Sequence, residues 1–233
     1  MIYVMSDIHG TYEKYLQMLE KIEFSEEDIL YILGDVCDRG PQPVEVLLDM
    51  MSRSNVFPIM GNHDFMALYL LRKLNVTITE ENAVNHLSTE DISGILSWIE
   101  EGGNTTIGGF QKLSVSQREA VLEYIEEMPF YEIAEVGEKT FILVHAGLGN
   151  FHKDKKLSEY QPDELLLTRQ SPDVQYFDDD NIYIITGHTP TYFISGKDEI
   201  YQNCNNICID CGACFNGGRL ACLCLDTMQE FYI

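Results

Sequence analysis

Apolar β-type runs that each end in a short polar cluster are the feature that most constrains this chain. Ile2–Met5 leads into Asp7-Ile8-His9-Gly10, and Ile29–Leu33 into Gly34-Asp35-Val36-Cys37-Asp38-Arg39-Gly40. Val56–Met60 leads into Gly61-Asn62-His63-Asp64, Thr140–Val144 into His145-Ala146-Gly147, and Ile182–Thr186 into Gly187-His188. Helical stretches separate the first three runs. Thr11–Glu23 places Tyr12, Tyr15, Leu16, Leu19 and Ile22 on one face, and the stretch after Pro43 repeats apolar residues at Val44, Leu47, Leu48 and Met51. Asp64–Leu74 supplies a third helix. This βαβαβ order predicts an α/β protein with a buried parallel sheet and right-handed crossovers.

In open α/β sheets, ligands gather beyond the carboxyl ends of the strands, where loops converge. Asp7, His9, Asp35, Asn62, His145 and His188 all follow strands, so six candidate ligands are expected at one edge of one sheet. A single Asp or His in such a place is usually a cap or turn residue. Six in the same strand-then-glycine setting are the mixed imidazole and hard-oxygen donors that a two-metal phosphoryl-transfer site needs.

The charge balance bears on partners. With 38 acidic against 15 basic residues, the formal net charge is −23. That field repels nucleic acid and anionic membrane, and no Lys/Arg stripe relieves it. Bound divalent cations would admit an anionic substrate while leaving the surface acidic. Some of the acidity is solvated turns and helix starts, at Glu26-Glu27-Asp28, Glu80-Glu81 and Asp178-Asp179-Asp180. No apolar run approaches the length of a membrane span, and Met1–Met5 reads as a core strand with no signal-peptide pattern. A cytoplasmic enzyme is expected.

Residues 75–128 break the strand–helix rhythm and read as a helical cap inserted on a single domain spanning 1–233. The chain ends in a hairpin-like pattern: Ile207–Cys211, a Gly217-Gly218 turn, Leu220–Leu225 and Glu230–Ile233. Six of the seven cysteines crowd between Cys204 and Cys224. Cys204, Cys208, Cys211 and Cys214 have a spacing superficially like a zinc or iron–sulfur site. Cys222 and Cys224 share one face of a strand, however, so small buried fillers are the expected role.

Asp-x-His, Gly-Asp-x-x-Asp-Arg-Gly, Gly-Asn-His-Asp, His-Ala-Gly and Gly-His-Thr-Pro, in that order, resemble the motifs of the metal-dependent phosphoprotein phosphatase (PPP) family. The small bacterial and phage members are the nearest in pattern. The resemblance extends through Ile209-Asp210-x-Gly212-Ala213, and Trp98-x-x-x-Gly102-Gly103-x-x-Thr106 resembles the cap of those members. It implies a four-layer αββα fold, a β-sandwich of two mixed sheets flanked by helices. By position, Asp7 and His9 would hold one metal, Asp35 would bridge two, and Asn62, His145 and His188 would complete the second. The metals would be Mn²⁺ or Fe²⁺, Zn²⁺ or Mg²⁺, and would activate a water for in-line attack on phosphorus. His63 would protonate the leaving group with Asp38 orienting its ring. Arg39 and Arg169 would clamp phosphoryl oxygens. Asp64 would orient the loop beneath His63, whereas His86 and His152 match no motif.

The expected activity is metal-dependent phosphomonoester hydrolysis, with a phosphoserine or phosphothreonine protein or a small phosphoester as substrate. The leading alternative is symmetric hydrolysis of diadenosine tetraphosphate, disfavoured by an acid at position 38. A cysteine-cluster metal-binding module ranks last, because it leaves the upstream ligands unexplained.

Overall fold

The computed structural model of the protein describes residues 1–77, 79 and 86–233. Glu80-Glu81 and residues 78 and 80–85 of the expected cap lie outside the described residues.

Two mixed five-stranded sheets make up the centre. In the first, β1 (Ile2–Met5) pairs in parallel with β2 (Ile29–Ile32), which pairs in parallel with β3 (Val56–Pro58). Helices α1 (Tyr12–Lys21) and α2 (Pro43–Met51) make the two crossovers, as the βαβαβ pattern requires. The second sheet starts with β4 (Tyr131–Val136) and β5 (Lys139–Val144), an antiparallel pair. β6 (Ile182–Thr186) lies parallel to β5. β7 (Tyr201–Asn203) and β8 (Asn206–Cys208) complete that sheet, with β8 parallel to β6. β9 (Ala221–Cys224) and β10 (Glu230–Tyr232) return to the first sheet, where β9 runs antiparallel to β1.

Alternation along each strand fixes the layers. Val4, Leu33, Leu223, Phe141, Leu143, Ile185 and Ile207 meet between the sheets. Tyr3, Met5, Ile32, Cys222 and Cys224 face the opposite way, against the helices. Those helices include α3 (Asn62–Leu74), α4 (Thr89–Trp98), α5 (Asn104–Gln111) and α6 (Val115–Glu126), so the cap shares the core of the first sheet. Val144 and Ile184, on the outer face of the second sheet, pack against Leu165 of the short α7 (Pro162–Leu166). The fold is the expected sandwich of two mixed sheets flanked by helices.

Three expectations change. First, Ile207–Cys211 and Leu220–Leu225 are not a hairpin, because β8 and β9 belong to different sheets. The strand stops at Cys208 because Asp210 turns the backbone out of the ladder. Its carboxylate accepts from Gly212 N at 2.9 Å and its carbonyl from Thr191 N at 2.8 Å. Second, the ligands expected at the edge of one sheet come from the edges of two. Third, α3 starts at Asn62, two residues before its expected start at Asp64, because the Asp64 carboxylate accepts from Gly61 N at 3.2 Å and caps the first turn. β4 has no clean apolar run, being a half-exposed edge strand, and the sequence pattern did not disclose it.

Phe141 is fully buried between the sheets. Phe141→Ala is expected to cost about 3–5 kcal/mol of stability, read as a lower denaturant midpoint with an unchanged slope in equilibrium unfolding.

Candidate active site

Parallel pairing puts the carboxyl ends of β1, β2 and β3 side by side, and those of β5 and β6 likewise. Side chains then stitch the two edges together: His145 Nδ1 donates to Leu33 O at 2.7 Å, and the Asp7 carboxylate accepts from His188 N at 2.9 Å. The loops are tightly apposed, since a Cβ on Gly34 would stand 2.4 Å from Gly61 Cα. Asp7, His9, Asp35, Asp38, Arg39 and His188 all adopt left-handed backbone conformations, with φ between 43° and 73°. Such strain costs on the order of 1 kcal/mol or more per residue and clusters at functional sites.

The donor atoms converge as a metal site requires. Asn62 Oδ1 lies 2.9 Å from both His145 Nε2 and His188 Nδ1, and Asp35 Oδ1 lies 3.5 Å from His145 Nε2. On the other side of Asp35, His9 Nε2 lies 3.5 Å from Oδ2 and 4.0 Å from Asp7 Oδ1. His9 donates its Nδ1–H to Cys37 O at 2.8 Å, and His145 donates to Leu33 O, so each ring turns Nε2 toward the centre. His63 also approaches His9 and Asp35 closely enough to make a ligand triplet. Its Nδ1 donates to Asp38 Oδ2 at 2.7 Å, and its Nε2 accepts from Arg39 Nη2 at 2.9 Å.

The electrostatics suit cations. Burial lifts the Asp7 carboxyl to about 6 and the Asp35 carboxyl to about 7, because neither oxyanion meets enough positive charge. Burial also pushes His188 down to about 3, aided by His145, and His9 well below its ordinary value, aided by Arg39. Neutral imidazoles beside buried carboxyls are a donor set that two divalent cations would satisfy. For His63, burial disfavours charge, but the hydrogen bond to Asp38 and the field of Asp35 raise its pKa overall.

Arg39 spans the two imidazoles. Its Nη1 donates to His9 Nε2 at 2.7 Å and its Nη2 to His63 Nε2, while the guanidinium lies 5.7 Å over the Phe215 ring. Arg169 is exposed and donates to Thr189 Oγ1 at 3.1 Å, beside His188. Asp64 Oδ1 accepts from Val36 N at 3.0 Å and Cys37 N at 2.9 Å, so its carboxylate ties the Asp35–Arg39 loop to the start of α3. His152 is exposed near Asp154, away from this centre. Cys208, Cys211, Cys222 and Cys224 are buried and divided between the second-sheet side and the first sheet, while Cys204 is exposed. Among the described residues, neither convergent donor group includes a cysteine.

One residue escaped the sequence reading of roles. Asp210 is buried, and its carboxyl stands well above the ordinary range because of that burial and the nearby Asp7. Its signal was present in Ile209-Asp210-x-Gly212, an acid just after an apolar run.

Known proteins resemble the chain at two levels. The calcineurin-like phosphoesterase family matches residues 1–212. Symmetrical bis(5'-nucleosyl)-tetraphosphatases from Wigglesworthia glossinidia brevipalpis and Pseudomonas syringae are 34% identical over 101 residues and 31% over 100. Each alignment covers 42% of this chain, and 37% and 34% of those enzymes, so the match spans about a third of their length. The structure superposes on a candidate diadenosine tetraphosphatase with a TM-score of 0.65 and 17% identity, covering all of this chain and 92% of that one. It also superposes on a serine/threonine phosphatase from Saccharomyces cerevisiae, with a TM-score of 0.57 and 14% identity over all of this chain and 78% of that one. At these identities the two superpositions speak for the fold. The family match covers most of the sequence, and the chain belongs to the calcineurin-like phosphoesterase family.

Proposed function

We propose that this chain, as a single domain, is a metal-dependent phosphohydrolase whose substrate is a dinucleoside polyphosphate cleaved symmetrically. The observation that carries the hydrolase reading is the convergence of Asn62, His145 and His188 on one side of Asp35 and of Asp7 and His9 on the other. Two divalent cations held by these residues would acidify a water and neutralise phosphoryl charge. Arg39 offers a planar fork to two phosphoryl oxygens, with Arg169 near the same edge. His63 would give its proton to the leaving oxygen while Asp38 holds the opposite ring nitrogen.

Two features support the substrate class. The curated relatives above carry that activity in their names. A cavity of about 580 Å³ also opens at Asn62, lined by Phe65, Met66, Leu166 and Leu167, and a second of about 390 Å³ is lined by Tyr192, Phe193 and Phe215. Apolar cavities of this size accept a nucleoside, and exposed aromatic faces stack with any base. A substrate with two bases would use both. A second reading, phosphoserine or phosphothreonine hydrolysis in proteins, is favoured by the buried Asp38–His63 pair, the acid that weighed against nucleotide hydrolysis in the sequence.

Side-by-side assay of diadenosine tetraphosphate and a phosphoserine peptide separates the two readings. The first reading expects kcat/KM at least tenfold higher for the dinucleotide, and the reverse ratio would establish the second. Phe65→Ala is expected to raise KM for the dinucleotide about tenfold or more, with p-nitrophenyl phosphate turnover unchanged.

Two further outcomes concern the metals. Asp35→Asn should lose bound metal along with activity, whereas His63→Asn should keep its metal and lose about 10²–10⁴ in kcat; metal analysis of the purified variants checks both. Ligating carboxyls must be deprotonated, and those of Asp7 and Asp35 sit near 6 and 7. Metal affinity should therefore fall as pH drops through that window, with protons released on binding, measurable by calorimetry in buffers of different ionisation enthalpy.

A further inference from the structure

The cap segment Trp98–Thr106 reaches into the catalytic loop, and the hydrolase reading leaves that contact without a role. Asp38 is fully buried, and among the described residues the hydrogen bonds to its side chain come from His63 and from this segment. Its Oδ2 accepts from His63 Nδ1 at 2.7 Å and from the Trp98 indole Nε1 at 2.7 Å. Its Oδ1 accepts from Thr106 Oγ1 at 2.6 Å, and its backbone N donates back to the same hydroxyl at 2.8 Å. The next peptide is held too, with Arg39 N donating to Gly102 O at 3.1 Å.

The glycines between these donors are what permit the approach. Gly102 has φ +106°, and a Cβ there would stand 2.8 Å from Arg39 N. A Cβ on Gly103 would stand 2.5 Å from the Trp98 ring. Trp-x-x-x-Gly-Gly-x-x-Thr is thus one device that presses a backbone onto the Asp38-Arg39 peptide and aims an indole and a hydroxyl at one carboxylate.

The terminal torsion of an aspartate is soft, so a single bond to His63 would leave the carboxylate plane free to turn. One anchor on each oxygen removes that freedom. Both residues on the loop are also strained, Asp38 with φ 73° and Arg39 with φ 65°, and strain of this kind persists only where the surroundings enforce it.

We propose that Trp98 and Thr106 are positioning residues that hold the Asp38 carboxylate for His63, so that the cap is part of the proton-donating apparatus. This role rests on the hydrolase reading, under which His63 protonates the departing oxygen. The carboxylate acts only on leaving groups that need a proton, and that requirement gives the role a signature distinct from general damage.

The test compares Trp98→Phe and Thr106→Val with Thr106→Ser as the conservative rescue, in the Mn²⁺-loaded protein, on phosphate monoesters of graded leaving-group basicity. The expected result is a loss of about 10–100-fold in kcat for an alkyl phosphate, part of what a general acid supplies. KM should stay within twofold, 2,4-dinitrophenyl phosphate should be hydrolysed at close to the wild-type rate, and Thr106→Ser should recover most of the loss. A second readout needs no metal. Trp98 is the sole tryptophan of the chain, so its indole N–H gives one resonance, expected downfield and shifted upfield by Asp38→Asn. Equal losses across all esters, no loss on any, or an indole resonance indifferent to Asp38→Asn would overturn the positioning role. If the loaded wild-type protein hydrolyses neither these esters nor diadenosine tetraphosphate, the hydrolase reading fails first and the role with it; if it hydrolyses the dinucleotide alone, the indole resonance decides.

Discussion

Asp35 sits where two sheet edges meet, and its carboxylate is almost wholly shut off from water. An ionised carboxylate in that position is costly unless charge or hydrogen bonds compensate it. The protein surrounds it with His63 N, His9 and His145, but these leave its carboxyl near 7. The rest of the site can be understood as an answer to that deficit. Imidazoles are turned inward by backbone carbonyls at Cys37 and Leu33, Asn62 offers its carbonyl oxygen to two histidines, and the donors form a socket for positive charge.

The same economy runs outward. Asp64 ties the Asp35 loop to the start of α3, and the cap ties Asp38 and Arg39 from above. Strain in the left-handed residues is therefore held by three independent elements: the sheet edges, the first turn of α3 and the cap. The chain carries a formal net charge of −23, so an anionic substrate would depend on positive charge gathered at this centre for its attraction. Under the proposed function, the apolar cavities at Phe65 and Phe215 would add a grip that charge cannot provide.

Much of this was legible in the residues. The strand-then-cluster pattern located β1, β2, β3, β5 and β6, because buried parallel strands read as apolar runs and their ends carry the chemistry. Two of the edge strands were another matter. β4 is half-exposed with acids between its apolar residues, and β7, Tyr201-Gln202-Asn203, has no apolar run. The partition of the last strands between two sheets was equally illegible, since a Gly-Gly turn looks alike within a hairpin and between sheets. Asp210 lay in plain view, but nothing local says that an acid after a strand has turned inward beside Asp7.

By itself, the sequence determined which residue types could bind metal and phosphate and the order in which strand ends would deliver them. Only the tertiary structure decided that Asp35 lies between two donor groups, that Asn62 serves both His145 and His188, and that Trp98 and Thr106 close on Asp38. The reason is physical. Strand ends are specified by local apolar runs and glycines, whereas contacts between residues 60 or more positions apart depend on how the sheets and the cap pack together.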